Sequence, residues 1–134
     1  MYYIDSPTKC VDAFDYDIES GSIYNRRIVI KIPDNSGVPD GMTSDSEGML
    51  WVAHWGGWQV SRWDPRTGKQ IDAIHVPAEM VSSCVFGGTT LDELYITTAK
   101  RGLSEKDLKK QPDAGGIFRI KVNVKGMPTY KYAG

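Results

Sequence analysis

The segment of this 134-residue chain best suited to chemistry is Val38-Pro39-Asp40-Gly41-Met42. Pro39 holds its own φ at about −65° and so stiffens the approach to the acid. Gly41 lets backbone pass close to a ligand without a Cβ. The carboxylate of Asp40 can give a hard oxygen to a divalent cation, or take a proton from water as a general base. Pro-Asp-Gly is also a common β-turn, and spacing alone favours the turn. His54 and Ser83 are weaker candidates. A lone histidine is more often a polar core-edge or surface group than a ligand. A serine more often bonds backbone. A Ser83-His54-Asp40 triad would require three distant segments to meet, and nothing in the sequence demands it. His75 reads as plain strand. Asp15, Asp17 and Glu19 lack the glycine and closing glutamate of a calcium loop, so they read as a charged turn.

The elements that must position these residues repeat along the chain. The strand Met1-Tyr2-Tyr3-Ile4-Asp5 matches Met49-Leu50-Trp51-Val52-Ala53 and Glu93-Leu94-Tyr95-Ile96-Thr97, with Tyr3, Trp51 and Tyr95 standing 48 and 44 positions apart. Each is followed by a second alternating strand: 11–15, 60–64 and 117–120. Third strands are expected at 27–32 and 70–74. Inner strands then open the next unit, at 40–43 and 82–86. In this alignment Ser83 falls within one residue of the position Asp40 holds one unit earlier. One helix is expected at 104–110, with Ser104 as N-cap and Asp107 closing a capping box. Four short antiparallel strands per ~40–50 residues mark a propeller blade. The fold class is therefore all-β, about three blades of a β-propeller occupying residues 1–134. Three blades leave two open edges, and exposed edges invite pairing. A homodimer through those edges is one expected outcome.

Bulk composition excludes other classes. Sixteen basic and seventeen acidic residues give a net charge of −1, so no field recruits nucleic acid or an anionic membrane. No apolar run approaches the ~20 residues of a membrane span. Cys10 and Cys84 form no CxxC pair, which argues against a disulfide scaffold or zinc knuckle and for reduced thiols in the cytoplasm. Cys84 reads as a small buried hydrophobe.

Val38-Pro39-Asp40-Gly41-Met42, with Gly48-Met49-Leu50-Trp51-Val52-Ala53 after it, resembles the regucalcin/gluconolactonase (senescence marker protein) family, which includes luciferin-regenerating relatives. The likeness continues through Val11-Asp12-Ala13-Phe14-Asp15-Tyr16-Asp17, Asn25-Arg26-Arg27, Ser83-Cys84-Val85-Phe86-Gly87-Gly88 and Ala114-Gly115-Gly116-Ile117-Phe118 to the ending Tyr132-Ala133-Gly134. The resemblance implies the carboxy-terminal half of a six-bladed propeller that binds one divalent cation and hydrolyses sugar-acid lactones such as gluconolactone. Calcium is the expected ion, with zinc, magnesium or manganese as alternatives. It makes Asp40 a metal ligand and general base, and puts Ser83 and His54 at the substrate channel. The family's first-half ligands have no counterpart in these 134 residues. The alternative it leaves is a non-catalytic calcium-binding relative, or a fragment, that acts through a partner.

Overall fold

The computed structural model describes residues 1–130; Tyr132-Ala133-Gly134 lies outside the described residues. Strands β1 (Tyr2–Asp5), β2 (Cys10–Tyr16) and β3 (Ile23–Lys31) form one antiparallel meander. A second runs through β4 (Val38–Ser44), β5 (Leu50–Trp55), β6 (Gln59–Asp64) and β7 (Lys69–His75). The third contains β8 (Met80–Gly87), β9 (Glu93–Ala99) and β10 (Ile117–Lys121). A single pair, Trp55 with Met80, links the second meander to the third. Every strand expected from alternation is present.

Period-two patterning explains why the meanders stack. On β5, Leu50 and Val52 face backward and join Val11, Ile30, Ile32 and Trp63 in one apolar cluster. Trp51 and Ala53 face forward and join Phe86, Leu94 and Ile96 in another. The middle meander is thus buried on both faces, which is why β5 is apolar through Leu50-Trp51-Val52-Ala53 rather than alternating. The ring of Trp51 meets Phe86 edge-on, with centroids 5.7 Å apart.

Register corrects the phase of the repeat. Tyr2 lies opposite Ala13, Trp51 opposite Arg62, and Tyr95 opposite Arg119. The structural counterpart of Trp51 and Tyr95 is therefore Tyr2, not Tyr3. The second-strand alignment stands: Val11, Val60 and Ile117 face Ile4, Ala53 and Thr97.

The short helix α1 (Glu105–Lys110) carries the expected capping box: Ser104 Oγ accepts from the Asp107 amide while the Asp107 carboxylate accepts from Ser104. Asp17 accepts from the amides of Glu19 and Ser20, so the acidic cluster there is a charged turn. A 3-10 turn at Ser6–Thr8, unforeseen in the sequence, puts Ser6 Oγ 2.7 Å from the Pro39 carbonyl, to which it donates.

Candidate functional site

Asp40 sits in a strand, not in a β-turn. Pro39 pairs with His54 and Met42 with Val52, so the register shifts by one across Asp40 and Gly41. This is a β-bulge, a device that bends a strand and re-aims a side chain. The same shift recurs on β8 between Val81, which faces Thr98, and Ser83, which faces Thr97. Pro39 thus matches Val81, Asp40 matches Ser82, and Gly41 matches Ser83. The counterpart of Asp40 in the next meander is Ser82, whose hydroxyl lies 2.8 Å from Thr97 Oγ1.

Gly41 is required by space. A Cβ there would fall 2.5 Å from Ser83 Cβ and 2.8 Å from Ser83 Cα, well inside van der Waals separation. The two inner strands therefore touch beside Asp40. Pro39, the Ser6 bond to its carbonyl, and the Gly41-Ser83 approach together hold the acid in place.

Asp40 is half-buried, and burial raises its pKa above the usual carboxylate value, with no charged neighbour offsetting the effect. Among the described residues no group of three or more His, Cys, Asp or Glu side chains converges to hold a metal ion. Calcium takes six to eight oxygens, so the side chains of the described residues do not by themselves fit the cation that the family resemblance implies.

His54 was expected at a substrate channel, and it lies elsewhere: its side chain is fully buried. Nδ1 donates to the Ser36 carbonyl at 2.7 Å. Since that oxygen can only accept, Nδ1 carries the proton. Nε2 then accepts from Ser61 Oγ, which in turn accepts from Trp63 Nε1. Both ring nitrogens are occupied inside the protein, and burial holds the imidazole below its ordinary pKa. Asp40, His54 and Ser83 form no triad. Ser83 packs on Gly41 and lines a shallow recess of about 290 Å³ with Cys84, Val85, Tyr95, Thr97 and Ile117. His75 ends its strand stacked on Trp58.

Sequence reasoning missed two buried carboxylates. Asp45 is fully buried and accepts from the amides of Glu47 and Met49, from Trp51 Nε1 and from Arg62 Nε. Arg62 in turn lies over the Trp51 ring, 5.8 Å from its centre. Asp12 is also fully buried. Its Oδ2 takes two bonds from Arg26, while Oδ1 has no partner among the described residues. A polar residue in the middle of an otherwise apolar Cys10-Val11-Asp12-Ala13 run was the available signal.

Residues 1–100 match the family model for the SMP-30/gluconolactonase/LRE-like region. The chain belongs to that family. Rabbit (Oryctolagus cuniculus) regucalcin is 49% identical over 135 residues, which take in all of this chain and 45% of the relative. A solved luciferin-regenerating enzyme superposes with a TM-score of 0.85 at 37% identity, over 95% of this chain and 43% of its own. A calcium-binding regucalcin from Agrobacterium tumefaciens gives a TM-score of 0.88 at 27% identity, over 98% of this chain and 45% of its own. The chain thus spans a little under half the length of the relatives it matches. No helix among the described residues is long and apolar enough to cross a membrane.

Proposed function

We propose that these 134 residues form one half of a regucalcin-type lactonase, a divalent-cation-binding hydrolase of sugar-acid lactones such as gluconolactone. The observation that carries the reading is Asp40: a half-buried carboxylate without a charged neighbour, aimed by a bulge in an inner strand, in a chain of this family. Asp40 supplies one carboxylate oxygen toward the ion, and the remaining ligands come from outside these residues. Asp40 is also the general base. Its raised pKa makes the ionised form a stronger base than a solvated carboxylate. It takes a proton from the water whose oxygen bonds to the lactone carbonyl carbon. The ring carbon–oxygen bond then breaks, and the departing oxygen takes the proton back. The two free, buried thiols, Cys10 and Cys84, support a reducing compartment, which we take to be the cytoplasm.

Complementation tests this. The chain is mixed with rabbit regucalcin from which the matched 135 residues have been removed. Calcium-dependent gluconolactone hydrolysis is expected from the reconstituted complex and not from the chain alone, and Asp40→Asn should abolish it. A folded complex with no hydrolysis, or an Asp40→Asn complex that retains full activity, overturns the proposal.

A further inference from the structure

The two ends of the stack carry faces that match the internal joints. Where the second meander meets the third, the covered surface is Trp51 with Arg62 over it, Asp45 holding both, and Val60 beside them. The third meander builds the same surface from equivalent positions. Tyr95 replaces Trp51 and donates to Glu93 at 2.7 Å; Arg119 replaces Arg62 and lies 3.7 Å from the same carboxylate; Ile117 replaces Val60. Val60 is fully buried, whereas Ile117 is 72% exposed and Val85 beside it is 49% exposed. One blade-to-blade surface therefore occurs twice, covered once and bare once.

The opposite end is bare on its backward face. Register aligns Tyr3, Asp12 and Ile28 in one row across the first meander. Tyr3 is 54% and Ile28 63% exposed. Between them lies Asp12, whose Oδ1 is buried and unpartnered among the described residues. Its counterparts Ser61 and Phe118 both face the preceding meander, where Ser61 is fully buried and Phe118 packs into the core. The forward end offers the exposed guanidinium of Arg119, and the backward end offers the free acceptor of Asp12.

We propose that these two faces are the two sides of one joint, and that a second copy of this chain fills it. The contact is heterologous, front of one copy to back of the other. Such contacts close into a ring when the rotation per copy divides a full turn. The chain covers 43% and 45% of two solved neighbours, so two copies make up nearly one whole neighbour. Closure then occurs at two identical joints about a twofold axis. The joint is independent of the lactonase reading, and its test needs no activity.

The test is the mass of the 134-residue chain by sedimentation equilibrium and native mass spectrometry, with Ile117→Glu as front variant and Ile28→Glu as back variant. Both side chains are exposed in the single chain, so circular dichroism should report unchanged strand content. Wild type is expected to be a closed dimer. Each variant alone breaks both joints and should dissociate about a hundredfold more readily. Mixing the two variants restores one wild-type joint and should bring the dimer back. A monomeric wild type, an open series of larger species, or a dimer that mixing fails to rescue overturns the proposal.

Discussion

Gly41→Ala is the substitution that most directly probes how Asp40 is held. The new methyl would lie 2.5 Å from Ser83 Cβ and 2.8 Å from Ser83 Cα, and closer still to Ser83 Oγ. Carbon atoms settle at roughly 3.5–4.0 Å, so the inner strands must part by most of an ångström. Rotating Ser83 removes the hydroxyl overlap but not the overlap with its Cβ and backbone. Overpacking of this kind costs about 1–3 kcal/mol. For a chain of this size, about 2 kcal/mol corresponds to a fall in Tm of roughly 6–10 °C. The φ of Gly41 is not in the left-handed region, so the loss is steric and not conformational. Thermal and urea unfolding of Gly41→Ala, Ser83→Gly and the double variant measure it. Removing the Ser83 side chain clears the hydroxyl and Cβ but leaves the backbone at residue 83 in the way. The double variant should therefore recover part of the loss, with a coupling of about 1 kcal/mol. Two results would refute the reasoning: a single variant within about 0.5 kcal/mol of wild type, or strict additivity of the pair.

Acid should weaken the fold through His54. Burial lowers its folded pKa below 6.5, with the Ser36 carbonyl offsetting part of the effect. The unfolded chain therefore binds this proton first. The stabilisation is complete above pH 6.5 and declines as pH falls toward the folded value. Urea midpoints between pH 8 and 5 should slope accordingly, and His54→Gln should flatten that slope; an identical slope in the variant would sink the assignment. The Cys84 thiol, pushed up to about 12 by burial and set 3.4 Å from the Trp51 carbonyl, should resist alkylation at pH 8 until the chain unfolds. Peptide mass mapping with and without denaturant reads this, and rapid native labelling of Cys84 would contradict it.

Local pattern was enough for the strands and not for their phase. Alternation located every strand, because half-buried strands declare themselves residue by residue. The repeat was misphased by one because aromatic identity drew the alignment to Tyr3. The spacing of nine to Val11, equal to that from Trp51 to Val60, belongs to Tyr2. Pro39-Asp40-Gly41 resembled a turn because turn chemistry is local. The bulge is defined by pairing with His54 and Val52, which lie beyond any short window. His54 looked like a channel residue for a similar reason. Its partners, Ser36 and Ser61, come from a preceding loop and the neighbouring strand. Asp45 and Asp12 were invisible as core groups because a carboxylate is ordinarily a surface group, and only the donors around it permit burial.

The treatment of the three buried or half-buried acids separates structure from function. Asp45 is surrounded by two amides, an indole and a guanidinium, so its burial is compensated within its own meander and Trp51. Asp12 is half compensated: Arg26 satisfies one oxygen, and the other faces the end of the stack. Asp40 has no such compensation, and partial burial alone raises its pKa. Each pKa unit of that kind is about 1.4 kcal/mol withheld from the ionised form. A proline, a bulge and a glycine-sized contact with Ser83 are nevertheless spent on fixing its position. Position that is enforced against a desolvation penalty, with no return in folding stability, is the physical pattern of a group kept for what it binds or deprotonates. The same logic places the missing compensation for Asp40 outside these residues, and that for Asp12 across the joint at the end of the stack.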